Sequence, residues 1–345
     1  MKPFYLMMRA ALCAALSFAG AAFAVDFVDV LATPAMPSER AERALVNGLA
    51  HAGTRIVAAG QRGHILYSDD RGAHWTQAKV PVSSDLVALS FATDRKGWAV
   101  GHDGIVLHTE DGGASWTRQF DGVAAAKLVI AQSSNAQLVE EARATVAHGP
   151  DKPFLDVWFD SATHGFIVGA FNQVFATDDG GATWQPWGEK LDNPKGFHLY
   201  AIRPVGSDVY IVGEQGLVLK LDRARGRFTA VPTPYKGSYF GVTGKEGAVL
   251  VFGLRGNAFR STDGGASWHK VETGVQTGLT ASSVLANGTL VLVSQAGQVL
   301  TSGDNGATFS RVAQAKAGPT SAVIEASQGT LILGGVRGLR AQPLQ

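Results

Sequence analysis

One feature limits the folds open to this chain more than any other: a segment of about 41 residues that recurs along most of its length. Its marker is a pair of glycines in the pattern Gly-x-x-Gly, set between two short apolar runs. Copies begin at Gly60, Gly101, Gly169, Gly213, Gly253, Ser294 (with Ser in place of the first Gly) and Gly335. The intervals are 41, 68, 44, 40, 41 and 41 residues. Shortly after most copies comes a second pattern, Ser/Thr-x-Asp-x-Gly-x-x-Trp/Phe, at Ser68–Trp75, Thr109–Trp116, Thr177–Trp184, Ser261–Trp268 and Ser302–Phe309. A degenerate form at Lys220–Phe228 keeps Asp222 and Gly226. A fixed period in this range marks a solenoid, a propeller or a stacked array.

The interior of one repeat decides among these. Leu86–Ala92, Trp98–Gly101, Gly104–Thr109 and Ser115–Gln119 are short β-rich runs separated by turn residues. Four short antiparallel strands in about 40 residues is a propeller blade, which cannot cover both of its faces alone and must stack around an axis. Seven copies predict an all-β, seven-bladed propeller over residues 25–342. The chain ends after the third strand of the last repeat, and Val25–Leu31 is strand-like. That run is expected to pair with the last sheet as its fourth strand, closing the ring by its two ends and removing an open edge. The 68-residue interval holds an insertion, about 121–150. Leu128, Ile130, Leu138, Ala142 and Val146 partly share a helical face, and Gly149-Pro150 would stop such a helix. The insertion is expected to be a helical or mobile excursion on one face.

Composition sets the remaining bounds. Hydrophobic residues make up 46% and charged residues 17%, so a large core is available. A net charge of +1 gives no global field toward nucleic acid or an anionic membrane. Residues 1–24 read as a signal peptide: Lys2 and Arg9, an apolar run Ala10–Ala19, then Ala22-Phe23-Ala24 as a cleavage site. The protein is therefore expected to be exported to a Gram-negative periplasm. The single cysteine, Cys13, lies inside the apolar run rather than at the cleavage junction, so neither disulfides, a thiolate nucleophile nor a lipid anchor is expected.

The Asp-bearing motifs are similar to the Asp-boxes, or BNR repeats, of sialidases and other propellers. The fuller pattern Phe154–Phe159, His164–Gly169, Thr177–Trp184 resembles the photosystem II stability and assembly factor family and its relatives in non-photosynthetic bacteria, across nearly all of residues 25–342. The resemblance implies an assembly role for a membrane complex, in the thylakoid lumen where the host has a photosystem. It also implies an arginine patch that receives a partner's chain.

The candidate residues follow. Asp70, Asp111, Asp179, Asp263 and Asp304 would each lock a hairpin by accepting backbone N–H bonds. Trp75, Trp116, Trp184, Trp268 and Phe309 would wedge between blades. Their separation around a ring argues against a shared ion. The Gly-x-x-Gly turns join two strands and lack the phosphate-loop pattern. Arg62, Arg255 and Arg337 all stand immediately before the second glycine, hence on one face, with Arg62 and Arg337 on ring neighbours; a guanidinium fork suits carboxylates. The other four copies have Asp103, Phe171, Gln215 and Ala296, so any patch is partial. His64, His102, His108, His164 and His198 have no metal-site spacing.

The reading is a monomeric, non-catalytic scaffold for a client protein or peptide, with no cofactor, metal or nucleic acid. The alternative is a sialidase-like glycoside hydrolase or a carbohydrate-binding propeller. Hydrolysis of that kind needs a tyrosine nucleophile, for which Tyr67, Tyr200, Tyr210, Tyr235 and Tyr239 are available, and an arginine triad. No Phe/Tyr-Arg-Ile-Pro stretch lies near the mature start.

Overall fold

In the computed structural model, which describes residues 28–313 and 318–344, the repeats become seven antiparallel sheets. Blades 1 to 7 span 46–77, 86–120, 154–186, 199–230, 239–271, 279–311 and 320–343. Six sheets have four strands in sequence order, and the seventh has three. The second strand of every blade is buried almost throughout: Arg55–Gly60, Gly97–Gly101, Gly165–Gly169, Asp208–Gly213, Ala248–Gly253, Leu290–Ser294 and Thr330–Gly335. Neighbouring blades cover both faces of these strands, which is why they are near-continuous Val, Ile, Leu and Ala rather than alternating. Each fully buried Leu, Ile or Val contributes about 1.5–3 kcal/mol.

Larger groups pin particular junctions. Trp98 of blade 2 is wholly buried, stacks on Phe159 of blade 3 at 3.4 Å, and donates its indole N–H to Gly180 O at 3.1 Å. Asp156 of blade 3 is buried; it accepts the Ile202 N–H at 2.8 Å and pairs with Arg203, both of blade 4.

The ring closes differently from the expectation. Val25–Phe27 lie outside the described residues, and Val28–Leu31 is not a strand of the last sheet. Asp29 bends this segment, its side chain accepting the Leu31 N–H at 2.9 Å and its carbonyl the Ala32 N–H. Beyond the bend the segment lies along the junction of blades 1 and 2: Ser83 N–H donates to Val30 O, Ala35 N–H to Val80 O, and Arg118 to Leu31 O. Blades 7 and 1 are joined by side chains instead. Trp75 packs with Ile56, Ile324 and Ile332, and the Ser321 hydroxyl donates to Val46 O at 2.6 Å.

The insertion contains two helices, α1 (Gly122–Gln132) and α2 (Ala136–His148), rather than one continuous stretch. The side chain of Asp121 accepts from Val123 and Ala124 N–H, and that of Asn135 from Gln137 and Leu138 N–H, so each helix starts on a side-chain cap. Glu189, in the short 3-10 turn after blade 3, accepts from Ser133 and Ser134 hydroxyls and Asn135 N–H, holding the break between the helices. Of the residues expected on a helical face, Ala142 is buried and Val146 is exposed. Among the described residues no helix is long and apolar enough to cross a membrane.

Candidate functional site

The four-stranded blades present two repeated turns at opposite ends of their strands; blade 7, with three strands, has only one of them among the described residues. The Asp-bearing turn joins the third strand to the fourth. In blade 2, Thr109 Oγ1 donates to Asp111 Oδ1 at 2.8 Å and accepts from Gly113 N–H at 3.0 Å. Asp111 Oδ1 accepts the Ser115 N–H at 2.9 Å, and Oδ2 accepts the Ser115 hydroxyl at 2.6 Å. The same pattern recurs around Asp70, Asp179, Asp263 and Asp304, with the His74 ring taking the hydroxyl's place in blade 1. Both oxygens of each carboxylate are thus engaged inside their own turn. The His74 backbone N–H, the His74 ring and the Ser68 hydroxyl hold Asp70 down at about 2. Side-chain and backbone donors of Ser267 and Thr308 lower Asp263 and Asp304 further. Groups so firmly ionised are poor proton donors at neutral pH. Among the described residues no cluster of His, Cys, Asp or Glu could hold a metal ion.

The aromatic residue ending each motif packs back onto the preceding blade. Trp116 sits in a cluster with Val57, Ala59 and Leu89, and Trp184 with Ala88, Trp98 and Phe120. Trp268 packs against the cluster containing Tyr210 and Val212, Phe309 against that containing Leu250 and Phe252, and Trp75 seals blade 1 to blade 7.

The opposite end carries the Gly-x-x-Gly turns, which join the second strand to the third. The connections between blades emerge at this end too, including α1 and α2. In five blades the turn is a single 3-10 turn in which the third position of the motif is left-handed: Arg62 (φ 55°), Asp103 (59°), Gln215 (51°) and Arg255 (58°) before the second glycine, and Phe171 (54°) before Asn172, which replaces that glycine in blade 3. In blade 1 the glycine that follows is required by contact as well as by conformation. A Cβ on Gly63, at φ 71°, would lie 2.1 Å from Val82 O in the connection to the next blade.

Arg62, Arg255 and Arg337 are all exposed at this end. Arg62 N–H is fixed by Asp85 Oδ1 at 2.7 Å, while its guanidinium, like those of Arg255 and Arg337, forms no ion pair among the described residues. Arg337 is not left-handed, so the last turn presents its arginine on a different backbone. Two further groups were absent from the sequence reading of this face. Arg340 is half-buried near Arg337, donating to Thr320 Oγ1 at 2.8 Å; burial and then the Arg337 charge lower it. Its signal in the sequence was a second arginine three residues after the first. Exposed apolar side chains lie at this end as well: Leu254 next to Arg255, Val336 next to Arg337, and Phe171 in the corresponding turn of blade 3, 53% exposed. The face combines unneutralised guanidiniums with apolar surface, a mixture suited to an anionic group attached to an apolar chain.

Comparison with known proteins bears on this arrangement. The family described as photosynthesis system II assembly factor YCF48 matches residues 50–125 and 136–298, with a gap that falls in the helical insertion. The photosystem II assembly lipoprotein Ycf48 of Synechococcus sp. (strain CC9902) is 30% identical over 164 residues, 46% of this chain and 49% of that protein. The matched stretch thus spans about half the length of this relative. Among solved structures, YCF48 bound to a D1 peptide superposes with a TM-score of 0.65 at 14% identity, over 88% of this chain and 94% of the other. Streptogramin B lyase superposes as well, with a TM-score of 0.67 at 13% identity over 88% and 95%. At such identities an assembly factor and a lyase share the propeller fold and nothing more specific.

Proposed function

The chain belongs to the YCF48 photosynthesis system II assembly factor family, and on that premise we propose that it is an exported, monomeric, non-catalytic propeller. Its arginine-bearing face would hold a peptide segment of a membrane-complex client during assembly. One observation carries this reading: three exposed guanidiniums at the same repeat position, at one end of the ring, without carboxylate partners among the described residues. The D1 peptide bound by the solved YCF48 relative supports a peptide as the kind of client. In a host without a photosystem, the client would be a transporter or another envelope complex. Export rests on the leader at residues 1–24, which lies outside the described residues. The lipid anchor in the Synechococcus relative's name is not carried over, because Cys13 sits within the apolar run.

The hydrolase alternative needs a tyrosine with a lowered pKa. Burial instead pushes Tyr239 up to about 12, and raises Tyr200 and Tyr210 as well. A sialidase and general glycosidase screen tests that alternative; turnover abolished by one tyrosine substitution would overturn the scaffold reading. The client reading is tested with Arg62→Ala combined with Arg337→Ala. Recovery of the client from host envelopes, quantified by mass spectrometry, is expected to drop at least tenfold. Undiminished recovery would remove the arginines from the account.

A further inference from the structure

The helical insertion does more than cap a blade. Between α1, α2 and blade 3 lies a cavity of about 480 Å³, within the range of roughly 300–1,000 Å³ common to ligand sites. Ala125, Val129 and Ala142 line it from the helices, Val174 and Phe175 from the blade, and Phe171 stands at its mouth.

Three observations describe what would occupy it. Phe171 is a bulky aromatic residue at φ 54°, followed by Asn172 at 61°, in the turn position that holds arginine in blades 1 and 5. The turn imposes this conformation in five blades, and in blade 3 it leaves a bulky aromatic ring 53% exposed. The mouth also carries charge, two lysines and two glutamates, of which one lysine is uncommitted. Lys152 lies 5.5 Å from the Phe171 ring and pairs with Glu141, while Lys190 lies over Trp187 at 4.4 Å without a carboxylate partner among the described residues. Glu189, the nearby acid, is committed to the break between the helices. Finally, the apolar surface continues beyond the mouth. Phe171 meets His198 edge-on at 4.5 Å, His198 lies 6.4 Å from Tyr200, and Tyr200 meets Phe240 at 5.6 Å, a partly exposed track across blades 3, 4 and 5. A small molecule would fill the cavity and leave this track bare, whereas an extended chain covers both.

We propose that the cavity is an anchor pocket for one bulky apolar side chain of an extended client segment, in which a flanking acidic residue meets Lys190. The assignment rests on the client-peptide reading above and adds a second element of recognition to it. Peptides selected from a display library of random segments of about twelve residues, on the immobilised mature protein, provide the probe. Their affinities are then measured by fluorescence anisotropy. Selected peptides are expected to share a Phe, Leu, Trp or Met position with Asp or Glu nearby. Phe171→Gly should weaken them at least tenfold while the melting temperature holds or rises, because glycine accepts the left-handed turn. Ala142→Trp, which fills the cavity, should weaken them similarly; if that variant fails to fold, Phe171→Gly decides alone. Peptides with no apolar position in common, or affinities within twofold of wild type in Phe171→Gly, overturn the pocket. Weakening by Arg62→Ala with Arg337→Ala but not by Phe171→Gly removes the pocket and leaves the arginine face standing. The converse removes the arginines and leaves the pocket. Selection of no peptide removes both.

Discussion

At one end of the strands the repeated turn uses its side chains inward; at the other, a repeated turn holds its side chains outward. The Asp-bearing turns put nearly the same atoms in the same bonds five times over, and their aromatic residues pack onto the adjoining blade, Trp116 and Trp184 buried and the other three half-buried. The Gly-x-x-Gly turns keep one backbone in five blades but carry Arg, Asp, Phe, Gln and Arg on it. Where side chains form the fold they are uniform. Where the backbone alone forms the turn, the side chain is free to vary and can be given to recognition. The difference teaches where to look on a repeat protein: at the position that is constant in geometry and inconstant in chemistry.

Substitutions can break this contrast. The largest effect on stability is expected from Trp116→Ala, which empties the space between blades 1 and 2: about 3–5 kcal/mol in urea unfolding, with client affinity intact at temperatures where the variant stays folded. Acid comes next. The Asp-turn carboxylates are depressed in the folded protein, so they contribute in full above the unfolded value of about 3.9. That contribution is lost as pH falls through the folded values, with Asp70 at about 2. The urea midpoint should accordingly decline below about pH 4, and less steeply in a variant with these aspartates changed to Asn. A midpoint indifferent to pH between 4 and 2 would contradict the role given to these turns. Asp111→Ala alone removes bonds that water partly replaces, so about 1 kcal/mol is expected. Smallest of all, Arg255→Ala should shift stability by less than about 0.5 kcal/mol. If it costs as much as an Asp-turn variant, the two ends are not different in kind.

Much of this was legible in the sequence. The blade count, the strand order within a blade and the wedge role of Trp116 and Trp184 follow from a period and from turn chemistry, which are local properties. The seam was not legible, because strand propensity at Val25–Leu31 cannot tell which sheet receives a segment. Asp29 bends that segment, and Leu31 is buried at the junction of blades 1 and 2 instead. The split of the insertion had a readable signal in Ser133-Ser134-Asn135, three residues that favour caps and turns over helix interiors. Phe171 reads in the sequence only as a place without arginine; its significance depends on a cavity formed where the helices of the insertion fold back over blade 3.

The manner of closure bears on how the proposed export would proceed. Blades 1 to 6 draw all their strands from one uninterrupted stretch, and among the described residues none borrows from the far terminus. A chain threading outward amino end first can therefore finish each sheet as it emerges. No strand of blade 1 has to stay unpaired until the trailing end arrives; what waits for blade 7 is one apolar face, carrying Ile56 and Trp75.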